Sequence, residues 1–156
     1  MTSQRKIDWF LEKYAESHQN VTNKLIHWVC VPAIMFSLLG LLYSIPFIID
    51  KGLFTNWATV FLAFALVYYL YLSPFMFVGF ILVGGAMVWG NYLLAIQFGS
   101  SLPFIALSIF IIAWIGQFIG HKIEGKKPSF FEDIQFLLIG PAWLLHFIYK
   151  KIGIQY

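Results

Sequence analysis

Short polar segments divide the chain into long apolar runs. No Asp, Glu, Lys or Arg occurs between Gly52 and His121, an interval long enough for about three membrane crossings at roughly 20 residues each. The Asp50-Lys51-Gly52 group and the Ser73-Pro74 pair separate successive apolar runs, and Pro is common at a helix start. The pattern predicts an all-α membrane bundle with about four transmembrane helices, at Leu25–Ile49, Asn56–Leu72, Phe75–Phe98 and Leu102–Gly120.

The N-terminal segment has a different, amphipathic pattern. Ile7, Phe10, Leu11 and Tyr14 recur at i, i+3, i+4 and i+7. Residues 3–17 are therefore predicted to form a helix that lies in the membrane interface, or a solvated helix that packs on the rest of the protein.

A polar segment, Ser17–Thr22, separates this helix from the first span. Asn20 and Thr22 are both good N-cap residues, which predicts a break and a new helix from just after this point. On one unbroken helix His18 and His27 would lie on opposite faces. A turn between them lets His18 fold back toward His27.

The last apolar run, Ile134–Tyr149, is short for a membrane crossing and contains Gly140-Pro141. Charged pairs flank it, Glu132-Asp133 before and Lys150-Lys151 after. The sequence favours a re-entrant or interfacial helical hairpin, which returns His146 to the side where the run begins. A fifth span is the alternative, and it would carry His146 toward the opposite face.

Composition supports a single membrane-embedded domain over residues 1–156. The chain is 60% hydrophobic and 11% charged, which is more apolar surface than a soluble domain of this length buries. The net charge of +3 is too small to indicate nucleic acid as a partner. No cleavable signal peptide is expected, because the first apolar run follows a long polar segment and precedes further spans. The oligomeric state is left open.

Basic residues predict the orientation in the membrane. They cluster before the first span and after the fourth, whereas Lys51 stands alone on the other side. Both termini of this multi-pass protein are therefore expected to face the cytoplasm. An even number of spans then places His18, His27 and His121 at one membrane level.

Histidines are the main candidates for chemistry, and the chain has four. Histidines at membrane spans are uncommon and usually have a partner or a task. Three or four imidazoles with no cysteine and few acids suit non-haem iron or zinc. The alternative is that each imidazole only binds a backbone carbonyl at the interface. The candidate metal ligands are His18, His27, His121 and His146.

Polar side chains near these histidines are candidates for supporting roles. Gln117 and His121 are spaced i, i+4, so the amide could fix the tautomer of the imidazole. The candidate catalytic residues beside the metal are Tyr14, Asn23 and Glu124. Tyr14 could instead be an ordinary interfacial aromatic, and Glu124 could be a solvated loop carboxylate.

Two motifs combine these residues: Tyr14-x3-His18-x4-Asn23-x3-His27-x4-Pro32 and Gln117-x3-His121-x2-Glu124-x3-Pro128. Together with the Gly140-Pro141 segment, they resemble the small membrane family of 2-hydroxy fatty acid dioxygenases over most of the chain. The resemblance implies an Fe(2+)-dependent enzyme that uses O2 to shorten a long-chain 2-hydroxy fatty acid by one carbon, a step of lipid α-oxidation. The resemblance also implies that His18, His27 and His121, which match the motifs, are the iron ligands.

The resemblance also implies a membrane lipid environment, the inner membrane for a bacterial protein or the endoplasmic reticulum for a eukaryotic one. Two other functions remain open. Di-iron lipid hydroxylases and desaturases have larger clusters of histidines in HxxH-type pairs, and this chain contains no such pair. A non-catalytic membrane scaffold or small transporter would use the histidines only for hydrogen bonds between helices.

Overall fold

A computed structural model describes residues 5–127 and 135–154. Within these residues the chain forms six α-helices, no β-strand, and a 3-10 turn at Gly99–Ser101. The predicted all-α class is confirmed for this part of the chain. The helices are α1 (Lys6–Ala15), α2 (Val21–Ser44), α3 (Trp57–Leu72), α4 (Pro74–Phe98), α5 (Leu102–Glu124) and α6 (Phe136–Ile152).

Two helical stretches in the described residues are long and apolar enough to cross a membrane. They are α2, with a mean hydropathy of 2.1, and Pro74–Glu124, which contains α4 and α5 and has a mean hydropathy of 2.2. Only 28% and 22% of their most apolar windows are buried inside the protein, whereas the core helix of a soluble protein is mostly buried. Large apolar side chains accordingly lie exposed on the surface of the bundle, among them Phe64, Leu82, Phe104 and Ile112.

Short polar residues determine where the helices begin. Asn20 caps α2, since its side-chain oxygen accepts two backbone N–H groups of the first turn. This confirms the predicted break before the first span. Asn56 caps α3 in a similar way, and Ser73 caps α4 with Pro74 at the first helical position.

Two helix ends differ from the sequence expectation. The first apolar helix ends at Ser44 rather than Ile49, because Ile45 precedes Pro46 and the residue before a proline disfavours the helical conformation. In contrast, α5 continues one turn beyond Gly120 and ends where Gly125 adopts a left-handed conformation with φ of 74°. The extra turn keeps His121 and Glu124 of the second histidine motif on the helix.

The C-terminal run is one helix, so the expected hairpin is wrong for the described residues. Pro141 lies inside α6. Gly140 has no positive φ, so the Gly-Pro pair does not form the turn that its sequence suggests. Gly140 makes room for a neighbour instead, because an added Cβ would lie 2.9 Å from the Tyr14 hydroxyl oxygen. The predicted start at Ile134 and the Glu132-Asp133 pair lie outside the described residues, as does Pro128.

The most extensive contact between helices joins α2 and α5, which run antiparallel. Two glycines of α5 allow this close approach. A Cβ added to Gly116 would lie 2.6 Å from Cys30 Sγ, and one added to Gly120 would lie 2.5 Å from Asn23 Oδ1. Small residues have this role where helices pack in lipid. The N-terminal end of α2 therefore lies beside the C-terminal end of α5.

The amphipathic helix α1 covers the same end of the molecule by packing on α6. Its predicted apolar face is buried, with the exposure of Ile7 at 0% and that of Tyr14 at 6%. Apolar residues of both helices form one cluster there, which includes Phe10, Leu11, Phe136, Ile139 and Trp143. The loop between α1 and α2 is thereby held against the end of α5.

Candidate metal centre

Three histidines lie together where the α1–α2 loop, α2 and α5 meet. The exposure of His18 and His27 is 0% and that of His121 is 6%. One ring nitrogen of each lies within 4.8 Å of the others. The ring centroids are 4.3 Å apart for the first two and 4.9 Å apart for each of the other pairs. These three imidazoles could hold a metal ion.

Backbone carbonyls fix the tautomers of two of these imidazoles. Nδ1 of His18 lies 2.6 Å from the carbonyl oxygen of Tyr14, and Nδ1 of His27 lies 2.9 Å from that of Asn23. A carbonyl oxygen can only accept, so each Nδ1 carries the proton and donates it. Each Nε2 is left with a free lone pair. Metal-ligating histidines are held in this way in proteins, with the second nitrogen bonded to a carbonyl or carboxylate.

The two Nε2 atoms face each other at a distance of 2.9 Å. With both protons on Nδ1, neither Nε2 can donate a hydrogen bond to the other. Burial of the imidazole is the main cause that lowers the pKa of His18, and the nearby His27 lowers it further, to about 3. His18 therefore stays neutral near pH 7. Two such lone pairs repel unless a cation lies between them. Nitrogens bound to one ion at roughly 2.0–2.1 Å can lie at most about 4.2 Å apart. The His18–His27 separation meets this limit, whereas the group of three spreads over up to 4.8 Å, so an ion held by all three would draw the rings slightly closer together.

His121 completes the group from α5. Its Nδ1 is buried and has no hydrogen-bond partner within residues 5–127 and 135–154. The expected bond from Gln117 is absent there, because Nε2 of Gln117 is also buried without a partner. Both side chains line the same cavity. These unpaired atoms are therefore available to a ligand.

The Glu124 carboxylate connects α5 to the start of α2. It accepts hydrogen bonds from the backbone N–H of Gln19 at 2.8 Å and of Asn20 at 2.9 Å. It also accepts one from Nδ2 of Asn23 at 2.9 Å. The backbone carbonyl of Asn23 orients His27, so one carboxylate supports both the loop and this ligand. The carboxylate is therefore hydrogen-bonded rather than free in solvent, and we propose that Glu124 positions the loop and His27.

Aromatic rings enclose His18. The Tyr14 ring stacks on it with centroids 4.0 Å apart and planes 13° apart, and the Trp143 ring lies 5.3 Å away. Burial raises the pKa of the Tyr14 phenol above its usual value, so this hydroxyl stays protonated near neutral pH. Trp143 was not expected from the sequence. No local sequence pattern indicates it, because the contact depends on how α1 packs on α6.

His146 is not part of the group. The ligand atoms that lie within 4.8 Å of one another come from the other three histidines. His146 instead lines an open cleft of about 760 Å³, together with His18 and the basic residues Lys24 and Lys150. The geometry therefore brings together three of the four histidines singled out in the sequence.

An apolar cavity lies on the other side of the group. It has a volume of about 60 Å³ and lies between α2, α5 and α6. His121, Gln117 and Tyr14 line one part of it, and apolar side chains such as Val31 and Met35 line the remainder. The histidine group therefore separates a polar cleft from an apolar cavity. This arrangement fits an amphiphilic ligand.

Comparison with known proteins identifies relatives of the chain. The family described as 2-hydroxy-palmitic acid dioxygenase Mpo1-like matches residues 4–152. The 2-hydroxy-palmitic acid dioxygenase MPO1 of Saccharomyces cerevisiae is 27% identical over 142 residues, which cover 90% of this chain and 78% of the yeast protein. No solved structure gives a significant match. The family matches confirm the resemblance indicated by the two histidine motifs.

We predict that Glu124→Ala weakens the metal site without removing a ligand. Two backbone N–H groups and Asn23 Nδ2 lose their acceptor, so His27 is held less firmly. Loss of such support typically lowers metal affinity by about 10–100-fold. Glu16→Ala is the matched control, because the Glu16 carboxylate forms a surface ion pair with Lys13 just after α1 and takes no part in the hydrogen bonds of Glu124. Titration of the metal-free proteins with Fe(II) in anaerobic detergent solution measures both affinities. Equal affinities would contradict the positioning role.

Proposed function

The chain belongs to the 2-hydroxy-palmitic acid dioxygenase Mpo1-like family, and on this basis we propose that it is an Fe(II)-dependent dioxygenase that shortens 2-hydroxy fatty acids by one carbon. The observation that carries the proposal is the pair of Nε2 lone pairs facing each other at 2.9 Å between His18 and His27. A scaffold that uses histidines to link helices needs a donor on one side of each contact. This pair offers two acceptors, which favours a bound cation.

Iron(II) is the proposed metal, held by His18, His27 and His121. Imidazoles without thiolate ligands suit iron as well as zinc. Zinc has no redox chemistry, whereas the yeast relative is named as a dioxygenase. When bound, iron would supply the O2 chemistry, and the protein supplies binding, orientation and exclusion of water.

The residues around the group match the two ends of a 2-hydroxy fatty acid. Such an acid has a carboxylate and a hydroxyl at one end and an apolar tail at the other. The cleft that His18 lines has three cationic side chains, Arg5, Lys24 and Lys150, against the two carboxylates of Asp8 and Glu12, and this small excess of positive charge favours an anionic head. The cavity that His121 lines is largely apolar and accommodates the start of a tail. Tyr14 and Trp143 cover the His18 ring and limit access of water from that side.

The proposed reaction balances without an external reductant. One 2-hydroxy acid and one O2 give the acid that is one carbon shorter, together with CO2 and water. The bond between C1 and C2 breaks, C2 is oxidised from an alcohol to a carboxyl carbon, and C1 leaves as CO2. Oxygen is reduced by electrons from the substrate alone. We therefore propose no nicotinamide or flavin cofactor.

We also propose four membrane spans, α2 to α5, with both termini in the cytoplasm. Lys126 Nζ donates to the backbone carbonyl of Glu16 at 2.7 Å, so the C-terminal ends of α1 and α5, with the basic residues beside them, lie at the same end of the bundle. Lys51 lies at the opposite end, where its Nζ donates to the carbonyl of Tyr43 at 3.4 Å. The excess of Lys on the first side supports the cytoplasmic orientation.

Reporter fusions at the two termini should report the same, cytoplasmic side. A reporter on the opposite side at either end would contradict the proposal.

We predict that the purified protein contains stoichiometric iron and that His18→Ala, His27→Ala and His121→Ala each lose iron and turnover together. Each substitution removes a ligand and also some buried packing, since His18 and His27 are fully buried, so thermal unfolding of each variant checks that the fold is kept. His146→Ala is the matched control and should keep its iron, because His146 lies outside the group. Elemental analysis of protein reconstituted with Fe(II) without oxygen measures this. Full iron in His18→Ala would contradict the ligand assignment, and loss of iron in His146→Ala would favour a four-histidine site.

We predict that the 2-hydroxyl is essential in the substrate. The hydroxyl and the carboxylate together can chelate a metal, whereas an unhydroxylated acid offers only its carboxylate. A site that uses a polar group often rejects an analogue without it by about 10⁴ or more. The assay incubates iron-loaded protein with O2 and matched acids with and without the hydroxyl, and follows the acid that is one carbon shorter. Equal turnover of both acids, or turnover without oxygen, would reject the dioxygenase proposal.

A further inference from the structure

A second apolar cavity lies beside the one at the histidine group. It has a volume of about 100 Å³ and lies between α2, α4 and α6. Met35 and Pro141 line both cavities, one from α2 and the other from α6. The two spaces are therefore neighbours, with these side chains as their common wall. Met35 is unbranched and flexible, so it can move aside more readily than a β-branched or aromatic residue.

The far side of the second cavity reaches the outer surface of the bundle. Its lining includes Trp28, Val83 and Ile148, whose exposures are 40%, 36% and 43%. These apolar side chains belong to the surface that faces lipid in the proposed topology. An alkyl chain that passes the common wall would therefore continue into the hydrocarbon of the bilayer. The small volumes of the two cavities fit part of a long tail, with the remainder in lipid.

The first cavity has polar atoms at one end only. Gln117 is 5% exposed, and its buried Nε2 has no hydrogen-bond partner in the described part of the chain. His121, one helical turn further along α5, has an unpaired buried Nδ1 as well. Leaving a buried donor unpaired is unfavourable. A ligand with acceptor oxygens at this end would satisfy the Gln117 amide.

We propose that the two cavities together form the binding site for the substrate's alkyl tail, with Gln117 donating to the polar head and Met35 controlling passage of the tail toward the lipid. This inference rests on the proposed function and assigns the path of its substrate. The common wall lies about 12 Å along α2 from His27, at a rise of about 1.5 Å per residue. A short tail ends before this wall, whereas a long tail must cross it.

Chain-length profiles test the role of Met35. Met35→Trp should lower kcat/KM for 2-hydroxy-hexadecanoic acid relative to 2-hydroxy-octanoic acid by about tenfold or more, the range that pocket fit provides in discrimination between apolar groups. Met35→Ala should leave the long acid at least as good a substrate as it is for the native protein. Gln117→Leu should lower kcat/KM for both acids to the same extent, because it acts on the head that they share.

Val29→Trp is the matched control for added bulk on α2, since Val29 is 71% exposed and lines neither cavity. Its ratio of the two kcat/KM values should equal that of the native protein. Iron content and thermal unfolding check that each variant keeps its fold and its metal. If neither Met35→Trp nor Met35→Ala changes the ratio of kcat/KM for the long acid to that for the short acid, the proposed role of Met35 is wrong.

Photo-crosslinking follows the tail without requiring turnover. The probe is 2-hydroxy-hexadecanoic acid with a diazirine at the end of its chain, added to the full-length protein in detergent. Labels should fall on residues of the second cavity such as Met87 and Leu144, and excess unlabelled acid should suppress them. Labels confined to outward residues such as Phe64 and Ile112 would overturn the proposed path. Correct labelling with no turnover of either acid would support the path and reject the dioxygenase proposal instead.

Discussion

The close antiparallel contact between α2 and α5 is the constraint on which the rest of the site depends. Gly116 and Gly120 present no side chain toward α2, so the two helix backbones approach until Cys30 and Asn23 fill the space. In lipid, where apolar helices gain no hydrophobic free energy by association, such close packing is a main source of stability. The contact places the start of α2 beside the end of α5. Histidines from opposite ends of the sequence thereby become neighbours.

Polar groups then set the direction of each imidazole. Two backbone carbonyls hold the Nδ1–H groups of His18 and His27, and the carboxylate of Glu124 holds the backbone between these residues. On the outer side these groups are paired apart from Asn23 Oδ1, whereas Gln117 Nε2 and His121 Nδ1, beside the cavity, lack a partner in the described residues. A hydrogen-bonded core would show the opposite pattern, because buried polar atoms are nearly always paired. The unpaired atoms beside the cavity are therefore available to bind a ligand.

The position of this group between two kinds of space is as informative as its ligands. His18 borders an open cleft with basic side chains, and His121 borders an apolar cavity between helices. A water-soluble substrate would gain little from the cavity, and a hydrocarbon without a head group would gain little from the cleft. A lipid with a polar, oxygen-bearing head can use both. In the proposed membrane topology, the tail of such a lipid would leave the protein between α4 and α6 without crossing water.

The sequence by itself determined the all-α class, the apolar helices and the break capped by Asn20, because periodicity, capping and proline effects act within a few neighbouring residues. It also indicated that His18, His27 and His121 could meet. Only the tertiary structure decided that His146 lies outside this group and that Glu124 holds Asn23, a residue 101 positions away. Such facts depend on how each helix is rotated and how closely it packs, which local patterns leave open. The Gly-Pro pair of α6 illustrates the limit, since the approach of α1, rather than a turn, accounts for its glycine.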